Sequence, residues 1–256
     1  MASYSIIWDL ETVVDREAFK RMESQLELSD EEAREQHGDK FAKLPLHQIV
    51  CIGALVAQRD AEGFRVIALG APHTGQRSER EIIEAFVGRI SELRPQLVSF
   101  NGHGFDLPVL RYRTMLHGLS APGLNCRAYF NRYTDDCLGL CDALASFDAR
   151  SKMSLDALCR VLGIAGKPAG IDGSKVGEYV AEGRIQEVAD YCETDIVNTY
   201  LLFLRYELFR GNIDAAQHDR SVAQLMDHIK VRHAGRDHLA SFLGAGHQHV
   251  EDLPSA

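Results

Sequence analysis

Tyr4-Ser5-Ile6-Ile7-Trp8-Asp9-Leu10-Glu11 is the stretch on which the reading of the fold turns. Its apolar run predicts a buried strand that ends in two carboxylates. Side chains alternate across a strand, so Asp9 and Glu11 share one face while Leu10 takes the other, among apolar neighbours. Two like charges about 7 Å apart on one strand face repel each other unless a cation sits between them. Two readings fit the stretch alone. It is an edge strand with a solvated acidic end, or it is one wall of a divalent-metal site. The rest of the chain decides between them.

Downstream, Thr12-Val13-Val14 leads into a polar segment from Asp15 to Lys43. Residues 15–25 and 29–42 carry helical patterns, and Ser29 with Glu32 three positions on makes a capping box. This charged insertion is read as a solvated face, with a lid over the end of the first strand as the alternative. Beyond Pro45, residues 49–57 predict a buried strand. A polar turn over Asp60-Ala61-Glu62-Gly63 then returns the chain through residues 63–69, an antiparallel hairpin. With the first strand this makes a three-stranded meander. Residues 78–93 repeat apolar positions at Ile82, Ile83, Phe86, Val87, Ile90 and Leu93, an amphipathic helix capped by Ser78 and ended by Pro95. Residues 96–100 form a short strand reached through that helix, hence parallel to the first.

Residues 101–118 read as a turn and a helix with Pro108 in its first turn. Residues 136–147 read as loop or helix. Ser154 caps a helix over 155–162, Gly163 closes it, and a Gly/Lys/Pro loop covers 163–175. Helices follow at 175–182 and 184–210, the second long and strongly apolar on one face. From Asn212 the chain is polar and His-rich, with weaker helical patterns at 214–230 and 236–243. Three leading strands, then alternation of strand and helix, then helices, give an α/β fold: a central mixed sheet of about five strands flanked by helices.

A chain of 256 residues, 45% apolar and 25% charged, is expected to bury one substantial core. No apolar run is long enough for a membrane span, so no membrane partner is expected. The N-terminus shows no secretory signal pattern. Six scattered cysteines without a Cys-x-x-Cys pair suggest free thiols in a reducing cytoplasm and argue against a zinc site. The net charge of −9 argues against coating nucleic acid by bulk electrostatics. It leaves room for an enzyme that grips one strand end, because bound cations reverse the local field.

Two further stretches carry acids. In Leu97-Val98-Ser99-Phe100-Asn101-Gly102-His103-Gly104-Phe105-Asp106-Leu107-Pro108 a strand runs through a glycine-bearing loop into a helix. Asp106 then falls at a helix N-terminus beyond a strand's C-terminal edge, where α/β sheets place ligand sites, although an ordinary N-cap fits the same position. In Tyr191-Cys192-Glu193-Thr194-Asp195, on the long helix, Tyr191 and Asp195 are four apart and share a face. A packed face gives a phenol and a carboxylate no reason to be there unless they are satisfied, although a core Tyr beside an exposed Asp remains open.

Together these three stretches resemble the DEDD 3′–5′ exonucleases of the RNase H-like fold, in the Tyr-bearing subclass. Within that group the chain is similar to the predicted exonucleases related to the proofreading domain of family B DNA polymerases. The matching residues are Trp8-Asp9-Leu10-Glu11-Thr12, Ser99 to Pro108, and Asp190-Tyr191-Cys192-Glu193-Thr194-Asp195. The loop from Gly163 to Gly173, with Lys167-Pro168 and Ile171-Asp172-Gly173, is also similar. The resemblance covers residues 4–210 or so. It implies an exonuclease domain over 1–210 and a C-terminal helical extension and tail over 211–256, packed on the same domain.

The resemblance further implies removal of mononucleotides from single-stranded 3′ ends with two Mg²⁺ or Mn²⁺ ions, DNA being favoured and RNA possible. Asp9 would bridge both ions, Glu11 and Asp195 would hold the one that activates water, and Asp106 the other. Tyr191 would orient the attacking water, and Glu11 would also meet the terminal 3′-hydroxyl. Leu10, Thr12, Asn101 and Phe105 are the candidate substrate contacts, Phe105 being equally a core residue. His103 is read as a loop residue, and Asp135, Asp136 and Asp142 as solvated turn residues. Arg111, Arg113, Lys167 and Lys175 are weaker candidates for phosphate contacts. His233, His238, His247 and His249 fit no tight metal motif. The length leaves no room for a polymerase domain, so proofreading within one chain is not expected. A catalytically silent nucleic-acid-binding module and a small-nucleotide phosphohydrolase are the alternatives.

Overall fold

The computed structural model describes residues 3–38, 40–164, 173–232 and 236–244. The expectations for Lys167, Pro168, Ile171, Asp172, His233, His247 and His249 and for the tail lie outside them.

Five strands form one mixed sheet: β1 (Ser3–Val14), β2 (His47–Asp60), β3 (Gly63–Gly70), β4 (Gln96–Ser99) and β5 (Cys137–Gly139), in the order β3-β2-β1-β4-β5. The first three are antiparallel in sequence, the meander expected, and β4 and β5 run parallel to β1 and to each other. β1 is therefore central and apolar on both faces. Ile7 packs into a core shared with Leu55, Val98, Val197 and Phe203. Ile6, Trp8 and Leu10 enter the opposite core with Ile82, Phe86 and Leu110. Helices α3 (Glu79–Leu93) and α4 (Asp106–Leu116) cover that second face, and α8 (Ile185–Phe209) covers the first. This is the three-layer α/β arrangement that the RNase H-like resemblance implies.

Helix starts follow local chemistry. Capping boxes at Ser29/Glu32 and Ser78/Glu81 open α2 (Asp30–His37) and α3, and the Ser154 hydroxyl accepts from Ala157 N to open α6 (Leu155–Val161). The remaining helices are α1 (Arg16–Glu23), α5 (Leu140–Leu144), α7 (Val176–Ala181), α9 (Ala215–Arg232) and α10 (Ala240–Gly244). β5 falls where the sequence reads as loop or helix. Three residues are too few to show an alternation, and their parallel pairing to β4 makes them a strand.

α8 lies directly on β2. A Cβ at Gly53 would sit 2.1 Å from Ile196 Cδ1 and 2.6 Å from Cys192 Sγ, so only glycine admits this approach. On the far side, α9 braces β3 through Phe64 N, which donates to Ser221 Oγ at 2.9 Å. Leu225, Ile229 and Phe242 join the core that holds Ile7 and Phe203. Among the described residues no helix is long and apolar enough to cross a membrane.

Candidate active site

β1 carries Asp9 and Glu11 to the rim of the sheet. Asp9 faces Gly53 and Glu11 faces Cys51 across the ladder, and a β-bulge follows Glu11, where Thr12 pairs with Ile49. A bulge re-aims the side chains beside it, and here it directly follows Glu11; the strand runs on to Val14 rather than ending at the two carboxylates as the sequence suggests. Helix α4 brings Asp106 to the same place as its first residue; the N-cap position itself is Phe105. Leu10 N donates to Asp106 Oδ1 at 3.2 Å, tying helix start to strand. The loop between β4 and α4 folds tightly over the strand end. A Cβ at Gly102 would meet Ser99 Oγ at 1.9 Å. From the opposite layer α8 contributes Tyr191 and Asp195, one turn apart.

These groups meet. Asp9, Leu10, Glu11, Thr12, Asn101, Phe105, Asp106, Tyr191 and Asp195 all line one cavity of about 740 Å³. Asp9 and Asp106 share a side-chain hydrogen bond. Asp9, Glu11 and Cys192 each present a donor atom within 4.8 Å of the other two. Asp195 is 9% exposed, so the exposed-Asp alternative does not hold.

The electrostatics are those of packed acids. Burial pushes the Asp106 carboxyl up to about 6, against the hydrogen bonds from its own backbone N–H, from Leu10 and from Asp9. Burial, the charges of Asp195, Glu11 and Asp9, and a hydrogen bond to Asp195 hold Tyr191 far above the usual phenol range. Its hydroxyl is neutral and donates. The Cys192 thiol is raised well above its ordinary value by its hydrogen bond with Cys51, by burial and by the neighbouring carboxylates. Around the thiol the donor atoms are carboxylate oxygens, the ligand type that hard divalent cations prefer.

Other expectations need correcting. Arg113 is buried and bound to Asp15 and Glu79, so it has no reach to a phosphate. Asp142 is buried between Arg132 and Lys152 rather than solvated. His103 is a loop residue as expected, donating to Cys137 O at 2.8 Å. Arg111 stacks over the Phe130 ring, and His238 bonds Glu193 on α8.

The cavity also holds residues that sequence reasoning passed over. His47 bonds the Thr12 hydroxyl at 2.9 Å and Ala42 O at 3.1 Å, and burial lowers its pKa. Phe105 meets the His47 ring edge-on at 4.8 Å, and Phe41 lies 5.9 Å from Phe105. Phe41 is 78% exposed. An aromatic in a charged insertion was the available signal; His47 gave none. The insertion thus reaches the cavity through Phe41, near the end of β1.

Residues 39–245 match a family model described as a predicted 3′–5′ exonuclease related to the exonuclease domain of PolB. The chain belongs to this family. It is an exonuclease of the hydrolase class, and its matched span contains Asp106, Tyr191 and Asp195, while Asp9 and Glu11 precede it. Solved structures similar to this exonuclease include E. coli exonuclease I with a dA16 oligonucleotide, at 16% identity and a TM-score of 0.37, over 83% of this chain and 46% of that one. The zinc-bound form of the E. coli exonuclease I–ssDNA complex gives 16% identity and 0.36 over 83% and 46%. The chain spans less than half the length of those proteins. No curated protein matches it.

Proposed function

We propose that this exonuclease removes mononucleotides from the 3′ end of single-stranded nucleic acid, DNA before RNA, with two Mg²⁺ or Mn²⁺ ions. The observation that carries the reading is that acids from three separate segments, on β1, at the start of α4 and on α8, line one cavity with Tyr191. Carboxylates this close repel unless a proton or a cation sits between them, and the oxygen-rich donor set suits divalent cations. Asp9 would hold both ions, Glu11 and Asp195 one, and Asp106 the other. When bound, such a pair activates a water and stabilises the leaving oxygen.

The chain's own residues do the rest. The Tyr191 hydroxyl, neutral and hydrogen-bonded to Asp195, is set to orient a water by accepting from it. Glu11 receives the terminal 3′-hydroxyl, which restricts attack to strand ends. Leu10, Thr12, Asn101 and Phe105 hold the terminal nucleotides, with Thr12 fixed by His47. The cavity has the volume of a small-molecule pocket, which admits one splayed strand end. The relation to a polymerase's exonuclease domain favours DNA. The exonuclease domain is proposed to span 1–210, with 211–256 an extension on it. The six free thiols fit a cytoplasmic setting.

Asp9→Ala and Asp195→Ala test the reading. Each should abolish metal-dependent 3′ digestion while circular dichroism and cooperative unfolding report an intact fold. Wild-type rates in both folded variants would overturn it.

A further inference from the structure

Outside the cavity, Tyr133 and Phe147 stand at the surface with rings 5.2 Å apart and tilted 53°. Tyr133 is 76% exposed and Phe147 43%. The Arg132 guanidinium lies over both, 5.9 Å from the Tyr133 centroid and 5.3 Å from that of Phe147. The backbone is strained to hold this arrangement. Helix α5 ends with Phe147 N donating to Asp142 O at 2.8 Å, a closure whose left-handed residue is ordinarily glycine. Here Ser146 and Phe147 both adopt positive φ, 50° and 61°. A bulky ring is thus held at a position that favours glycine, with 43% of it open to solvent.

The patch is continuous with the cavity. Buried Asp142 pairs with Arg132 on one side, at 2.9 Å, and with Lys152 on the other, at 2.7 Å. Lys152 and Met153 line the cavity. Two cations share one carboxylate, so a positive charge is in excess here, in a chain whose net charge is −9. Aromatic faces beside an excess cation are what a single strand binds, bases on the rings and phosphates on the cation.

We propose that Arg132, Tyr133 and Phe147 form a stacking platform for the part of the strand upstream of the nucleotide being removed. The proposal rests on the reading of the cavity as a 3′-end site. It makes affinity depend on substrate length, because a dinucleotide ends before it reaches the platform.

Tyr133→Ala and Phe147→Gly are compared with wild type on an oligothymidylate about 20 nucleotides long and on a thymidine dinucleotide. Each variant should raise KM for the long strand about tenfold, as expected for loss of one stacked base, leaving kcat and both dinucleotide constants unchanged. Phe147→Gly should also melt no lower than wild type, since glycine relieves the positive φ. A KM change equal on both substrates, or none on either, would overturn the platform. If wild-type protein degrades neither substrate, the exonuclease reading fails by itself. The platform is then read from fluorescence anisotropy of the labelled long strand without metal, where weaker binding by both variants supports it and unchanged binding overturns it.

Discussion

Asp106 is an acid whose setting differs strongly from solution. Its backbone and Asp9 donate or share hydrogen bonds with it, yet burial dominates and raises it to about 6. A group raised in the folded state favours folding when protonated. Its contribution is fully present below about 4 and is lost as pH rises through about 6. In metal-free protein, Asp106→Asn should therefore melt higher than wild type above pH 6, by a few degrees, and the gap should close toward pH 4. Melting curves of both proteins across that range, in chelator, check this; a gap that does not change with pH would contradict it. The same substitution should remove activity. The identity of these acids was legible in the sequence because Asp-x-Glu, the glycine loop before Asp106 and the Tyr-x3-Asp spacing are local patterns. Their burial was not, since Asp142 and Arg113 look like any surface charge until the fold supplies their partners.

At the scale of elements, the site depends on how closely α8 sits on β2. Gly53→Ala places a methyl group against Cys192 and Ile196, the residues that directly follow Tyr191 and Asp195 along α8. Overpacking of this kind costs about 1–3 kcal/mol. Urea unfolding should show that loss, and turnover should fall further than the folded fraction does, because the helix that carries two site residues must shift. A second dependence runs through Arg113, which ties α4 to Glu79 on α3 and to Asp15, the N-cap of α1. Arg113→Ala leaves two buried carboxylates without their cation, and should cost about 3–5 kcal/mol in urea unfolding. A loss below about 1 kcal/mol would mean that the pair is solvated as surface pairs are. The capping serines and the meander were readable because caps and alternation are short-range signals. β5 was not, because its three residues become a strand only through pairing with β4.

Across the whole molecule, an acidic chain presents one cavity where strand, loop and helix converge, with aromatic residues in its lining and a cation-bearing aromatic patch beside it. Overall charge and local chemistry differ in sign for a reason. Net negative charge limits non-specific contact with a polyanion, and the proposed function places affinity at one strand end and the few bases behind it. The three-strand meander and the parallel fourth strand followed from hydrophobic periodicity and chain order, and the convergence of the acids was what the family resemblance implied. The aromatic lining at Phe41 and His47 was not legible in the sequence, because the insertion that carries Phe41 shows only charge and caps until it folds against Phe105. The most direct test is digestion of single-stranded DNA bearing a 5′ label, with Mn²⁺ and with excess chelator. Successively shorter labelled products with Mn²⁺ and an intact strand in chelator are expected. Equal digestion under both conditions, or release of the label as the first product, would contradict a metal-dependent site that works from the 3′ end.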